Sequence, residues 1–387
     1  MTKPFDRLEQ RTLHQLDILK RAGLERHLRP PHGIDLSSND YLGLADDPRL
    51  ISRMIEGVKR EGCGSTGSRL LRGEREIFGK VETKFARCKG TERSLFFGSG
   101  YHANIGVLST FLQEGDVIFS DELNHASLID GMRLSKAERV IYPHADVSVL
   151  AGQIRETRYD GQRFLVSESV FGMDGTRAPL RDLARICRTN NIALIIDEAH
   201  AVGLYGRDGS GLIEESGIAE NVFMSINPAG KALGVGGAFV AGPAWTIEYL
   251  VQRARSFIFS TAPPPSMAEA LECALDIIEQ EPQRRQLVQE NAAKLRGLLH
   301  SRGIQISPFS DTQIIPVLIG DSARSVAVAE HLQKEGFDVR AIRPPTIPAG
   351  TARLRISVSI RLTDSQAVLF ADQLKKALEF TYCAAQS

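Results

Sequence analysis

Lys231 stands in the run Asn227-Pro228-Ala229-Gly230-Lys231-Ala232-Leu233-Gly234-Val235-Gly236-Gly237. A lysine on a short glycine-rich turn has room to reach a carbonyl carbon and form a Schiff base. Upstream, the apolar run 193–196 leads into Asp197-Glu198-Ala199-His200. A carboxylate at that point can keep an aromatic ring nitrogen protonated, because a neighbouring anion favours the cation. Singly, the lysine reads as a solvated loop residue and the aspartate as a strand-end cap. Together they point to pyridoxal phosphate (PLP), with Lys231 as the Schiff-base lysine and Asp197 as the pyridine partner. His200, three residues on, can reach the phenolic oxygen of the same cofactor.

Three further groups fit that chemistry. Phe96-Phe97-Gly98-Ser99-Gly100-Tyr101-His102-Ala103-Asn104 reads as strand, small residues, then helix, and free N–H groups at a helix start attract a phosphate. Asp121-Glu122-Leu123-Asn124-His125-Ala126-Ser127 offers His125, whose imidazole can lie against a cofactor ring. In Thr351-Ala352-Arg353-Leu354-Arg355 the two arginines lie on one face of a strand, and a buried guanidinium can clamp a substrate carboxylate. Arg353 reads more readily as a structural ion-pair partner. Asp197 with His200 has no companion ligands for a metal site, so no metal is expected.

These groups need a scaffold. Residues 5–28 carry leucines near helical spacing, stopped by Pro30-Pro31. From about residue 75, helical segments alternate with short apolar runs at 94–97, 117–120, 164–167, 193–196, 222–226 and 238–241. That alternation predicts a mostly parallel sheet covered on both faces, with ligands beyond the carboxyl ends of its strands. After Pro263-Pro264-Pro265 the pattern predicts one long helix over 266–302, then strands at 314–319, 339–342 and 352–360 with helices at 326–335 and 365–380. The expected division is an N-terminal helix and arm (1–50), a large PLP-binding domain (51–270) and a small C-terminal α/β domain (271–387).

Composition sets the limits. The chain has 387 residues, and Lys plus Arg balances Asp plus Glu at 47 each, so no nucleic-acid or acidic-membrane partner is indicated. The N-terminus Met1-Thr2-Lys3-Pro4-Phe5-Asp6 lacks a signal-peptide core, and no run approaches a membrane span. Five scattered cysteines (Cys63, Cys88, Cys187, Cys273, Cys383) without CxxC spacing fit a reduced, cytoplasmic protein, with Cys63 read as buried filler.

In order, the segments Ser38-Asn39-Asp40-Tyr41-Leu42-Gly43, Gly64-Ser65-Thr66-Gly67-Ser68-Arg69-Leu70, Ser99-Gly100-Tyr101, His125-Ala126-Ser127, Met173-Asp174-Gly175, Asp197-Glu198-Ala199-His200, Gly230-Lys231-Ala232 and Thr351-Ala352-Arg353-Leu354-Arg355 resemble the α-oxoamine synthases over residues 5 to 380. These are PLP enzymes of fold type I, aspartate aminotransferase-like. Within them Ala341-Ile342-Arg343-Pro344-Pro345-Thr346 looks like the biotin-pathway branch. That resemblance implies a decarboxylative condensation of L-alanine with a pimeloyl thioester of CoA or acyl carrier protein. It implies that Lys231 removes the α-proton, His125 stacks on the ring, His200 contacts the phenolic oxygen, and Gly100 and Tyr101 hold the phosphate. It further implies that Arg355 and Asn39 hold the substrate carboxylate, in a homodimer where Ser260 and Thr261 reach the partner's phosphate. Three positions depart from the family: Pro228 replaces a phosphate-binding Thr, Gly172 a Ser, and Phe78 a frequent His. The alternatives are a related synthase using another amino acid or acyl-CoA, such as a 2-amino-3-ketobutyrate CoA ligase, and a non-catalytic paralogue.

Overall fold

The computed structural model describes residues 5–384. Residues 1–4, within the N-terminal stretch expected to lack a signal-peptide core, and the side chain of Cys383 lie outside the described residues. The chain divides into two compact units, one of residues 39–290 with 359–361 and the other of the remaining residues.

The first unit is built on a seven-stranded sheet. Its spatial order is Arg93–Phe97, Ala238–Gly242, Val222–Pro228, Ile192–Asp197, Arg163–Glu168, Val117–Asp121, Glu138–Tyr142. Only Ala238–Gly242 runs antiparallel to its neighbours. The central strands read as near-continuous apolar runs because helices cover both faces. Leu95, Ile118, Phe164, Val166, Ile195, Met224 and Val240 join helix residues Val107, Leu108 and Leu250 in one core. The edge strand Glu138–Tyr142 has no counterpart among the apolar runs of the sequence. Its residues Glu138, Arg139 and Ile141 face solvent, and a charged, exposed edge carries no burial pattern to read.

The register brings chemistry to one rim. Asp121, Glu168, Asp197 and Pro228 are the last residues of four parallel strands, and Glu168 pairs directly with Asp197. That is the carboxyl edge where ligands of such sheets bind.

The second unit has a three-stranded antiparallel sheet in the order Arg340–Ile342, Ala352–Ser357, Ile314–Gly320. Helices Ser322–Lys334 and Asp364–Ala384 accompany it, and Leu332, Phe337, Leu354, Ile356 and Phe370 form its core.

Three local expectations are corrected. The first helix spans Asp6–Arg21 rather than 5–28. It ends at Gly23, whose φ of 64° allows the Leu24 N–H to return to the Leu19 carbonyl at 2.8 Å, before the prolines are reached. The stretch 266–302 is two helices, Pro265–Gln280 and Pro282–Ser301. Pro282 drives Glu281 out of helical geometry, to φ −120° and ψ 61°. Cys63 is exposed rather than buried. No helix among the described residues is long and apolar enough to cross a membrane.

Candidate active site

Lys231 sits on a turn that closes on itself. Ala229 N–H donates to the Gly237 carbonyl at 2.9 Å, and Gly234 N–H to the Lys231 carbonyl at 2.9 Å. Gly234 has φ 72°, and a Cβ there would lie 2.7 Å from the Ala45 backbone nitrogen, so only glycine fits. The turn aims the amine at His200, with Nζ 3.0 Å from Nε2.

Asp197 is 3% exposed at the end of its strand. Its Oδ1 accepts from the Ala199 N–H at 2.8 Å, and its Oδ2 from Asn104 Nδ2 at 2.8 Å. Asn104 also donates to Ser127 Oγ at 2.8 Å, and Ser127 Oγ lies 2.7 Å from His125 Nδ1. Asp197 and His125 are thereby tied through one amide and one hydroxyl. The turn beyond Asp197 is held from behind. Glu198, fully buried, takes Lys89 on one oxygen and the Ile213 N–H at 3.1 Å on the other.

The electrostatics follow from burial. Burial pushes the His125 imidazole below its usual pKa, opposed by Asp197 and assisted by the Lys231 charge. His125 therefore stays neutral at neutral pH. Glu168 is pushed up to about 8 by burial first and then by the Asp197 carboxyl beside it, so it holds its proton at neutral pH.

The helix Gly100–Phe111 begins where the sequence places a phosphate. Ser99 caps it by accepting from the His102 N–H at 3.1 Å. The N–H groups of Gly100 and Tyr101 have no acceptor among the described residues. Tyr101 hydroxyl bonds Asp130. Thr261 lines a small cleft with Gly98, Phe97 and Arg69 of its own chain. Asn39 Oδ1 accepts from the Tyr41 hydroxyl at 2.9 Å. Arg355 belongs to the other unit, where it is buried and donates to Ser357 Oγ at 2.7 Å. Arg353, in the same strand, donates to the Thr351 carbonyl at 3.0 Å.

The three departures acquire physical reasons. A Cβ on Gly172 would lie 2.6 Å from His200 Nε2, so glycine leaves room for the imidazole. A Cβ on Gly100 would lie 2.7 Å from Pro228 Cγ, so the proline ring packs on the helix start. Phe78 is fully buried, stacked at 6.1 Å on Phe96 with the Arg69 guanidinium 4.9 Å above it. Asn104, Ser127 and Tyr41 lay within recognised segments without a role. An asparagine on the buried face of an otherwise apolar helix was the one signal for the first of them.

The donor set suits PLP: an amine, a buried carboxylate, two imidazoles and two free N–H groups at a helix start. The class I and II aminotransferase family model matches residues 31–374. An 8-amino-7-oxononanoate synthase of Anaeromyxobacter dehalogenans is 44% identical over 359 residues, 89% of each chain. A serine palmitoyltransferase from S. paucimobilis, solved with bound PLP-myriocin, superposes with TM-score 0.91 at 25% identity, over 99% of this chain and 100% of that one. An 8-amino-7-oxononanoate synthase from Francisella tularensis gives TM-score 0.79 at 30% identity, over 90% and 99%. The chain belongs to the class I and II aminotransferase family, with the α/β architecture of PLP fold type I, and within it to the α-oxoamine synthases.

Proposed function

We propose that this protein condenses L-alanine with a pimeloyl thioester, releasing CO₂ and the free thiol and forming 8-amino-7-oxononanoate for biotin synthesis. The 44% identity to an 8-amino-7-oxononanoate synthase supports the substrates. The observation that carries the chemistry is the Lys231 amine 3.0 Å from His200, on the rim where Asp197 ends its strand.

Lys231, Asp197, His200, His125, Gly100, Tyr101 and Thr261 would hold PLP, which when bound supplies an electron sink for a carbanion at the α-carbon of the amino acid. Lys231 takes the α-proton as general base. Asp197 would face the ring nitrogen, kept aimed by Asn104 and the Ala199 N–H. His125 would cover the ring as a neutral imidazole and shield it from water. His200 would meet the phenolic oxygen. Asn39 and Arg355 hold the substrate carboxylate until it leaves. We further propose a homodimer in the cytoplasm, with CoA or acyl carrier protein as thiol carrier.

The test is incubation of PLP-loaded protein with single amino acids and acyl thioesters, scoring CO₂ and product mass. Alanine with pimeloyl thioester should give the fastest release. Faster release with glycine or serine would move the protein to another α-oxoamine synthase activity. No product with any pair would leave a non-catalytic paralogue.

A further inference from the structure

His200 is gripped from both sides. Its Nε2 faces Lys231 Nζ at 3.0 Å, and its Nδ1 faces the Tyr41 hydroxyl at 2.8 Å. Tyr41 is fully buried, and its hydroxyl donates to Asn39 Oδ1 at 2.9 Å. A phenol has one proton to give. With that proton on Asn39, the Tyr41 oxygen is an acceptor toward His200, so Nδ1 must carry the imidazole proton. Nε2 is then bare and accepts from Lys231.

Tyr41 is itself firmly placed. Its N–H donates to the Asn39 carbonyl at 2.8 Å, and its carbonyl accepts from the Ile360 N–H at 3.0 Å. Asp40 fixes the following turn by accepting from the Leu44 N–H at 2.9 Å. On the far side of the imidazole, Gly172 leaves free the space a Cβ would take 2.6 Å from Nε2. A Cβ there would force the imidazole or the backbone at residue 172 to shift.

We propose that Tyr41 is a positioning residue for Lys231: it sets the His200 tautomer, and so decides whether the nitrogen facing the reactive amine accepts or donates a hydrogen bond. The inference rests on reading Lys231 as the reactive amine. A bare Nε2 favours the ammonium form of Lys231 and stands ready to receive its proton when the free amine is needed. Without the Tyr41 oxygen, nothing in this pair of contacts holds the proton on Nδ1, and the Nε2–H tautomer favours the neutral amine instead. His125 and Glu168 also feel the Lys231 charge, and Asp197 acts on both of them. These three carboxyl and imidazole groups remain in place in every variant below.

The experiment uses full-length, cofactor-free protein, so its outcome is independent of whether the proposed reaction is correct. Nitrogen NMR of protein labelled with ¹⁵N-histidine, with His200 assigned from His200→Gln, reads the tautomer. The wild type should carry the proton on Nδ1, and Tyr41→Phe should shift it toward Nε2. The pH profile of Lys231 acetylation by acetic anhydride, read by mass spectrometry, reports the amine. Its midpoint should fall in Tyr41→Phe by about half a unit or more, roughly a threefold gain in labelling at fixed pH. Gly172→Ala approaches the same imidazole from its other side and should shift the midpoint too. The double variant should move it no further than the larger single shift, because both act through His200. An unchanged tautomer, an unchanged midpoint in either variant, or additive shifts would overturn the proposal. Should Tyr41→Phe fail to fold, the wild-type tautomer decides alone: a proton on Nε2 overturns the proposal.

Discussion

Asp121 and Asp197 end parallel strands of the same sheet, and both are almost fully buried. They differ in how their oxygens are used. Asp121 accepts from the Leu123 N–H at 2.9 Å, the Ala145 N–H at 2.8 Å, and lies 3.0 and 3.1 Å from His144 Nδ1. His144 continues to Thr176 Oγ1 at 2.9 Å, so this aspartate ties a loop to the sheet. Among the described residues the Asp197 carboxylate accepts two hydrogen bonds, from Asn104 and from the Ala199 N–H. A carboxylate has about four lone-pair positions, so Asp197 keeps about two in reserve, whereas Asp121, facing two N–H donors and one imidazole nitrogen that spans both its oxygens, keeps about one at most. The same residue type at equivalent places in the sheet is structural when its acceptors are filled by its own fold, and available for chemistry when they are not.

The sharpest check is Lys231→Ala. Proton transfer and carbonyl capture both need the amine, so turnover should fall by at least about a thousandfold. The half-buried side chain leaves a fold that should melt near the wild-type temperature. Measurable turnover at the wild-type rate would remove the amine from the chemistry and leave the reserve on Asp197 without a purpose.

Asp197→Asn and Asp121→Asn should then separate activity from stability. The Asp197 variant should lose about a hundredfold or more in turnover, the scale of one missing preorganised electrostatic contact, with a small change in melting. The Asp121 variant should lose about 1–3 kcal/mol of stability, because buried donors lose their acceptor, and keep most of its turnover. Denaturant titration beside initial rates reads both. Matching profiles for the two variants would break the comparison.

Glu168 tests the electrostatics of the same rim. Its carboxyl is raised from 4.5 to about 8 in the fold, so the folded state binds more protons than the unfolded chain between those values. Stability from this group is therefore lost as pH rises through that window. In cofactor-free protein, Glu168→Gln should gain on the wild type between pH 5 and 8, by a few kcal/mol at most, since each unit is worth about 1.4 kcal/mol. A constant difference across that range would mean that Glu168 is already ionised beside Asp197.

The smallest expected effect is at Pro228. Proline has neither hydroxyl nor N–H to give a phosphate, and a charge-assisted bond is worth about 1.5–3 kcal/mol. Pro228→Thr should tighten PLP binding, by roughly tenfold or more if the full bond is gained, read by titration. Equal or weaker binding would mean that the packing of the proline ring on Gly100 matters more than the missing donor.

Much was legible from the chain alone. Glycines around Lys231 forecast a turn, because only glycine takes positive φ without cost. Apolar runs closed by Asp121, Glu168 and Asp197 forecast a parallel sheet with a charged rim, because strands covered on both faces must be apolar throughout. The charged edge strand Glu138–Tyr142 escaped, since it buries too little to leave a pattern. What the tertiary structure decided is which of these residues meet. Asn104 joins Asp197 to Ser127 and His125, Tyr41 turns one nitrogen of His200 toward Lys231, and Gly172 leaves that imidazole its space. Periodicity reports which way a side chain faces within its own element. These partners come from separate elements far apart in the chain, and only the packing of the sheet's carboxyl rim sets their hydrogen bonds, their burial and therefore their protons.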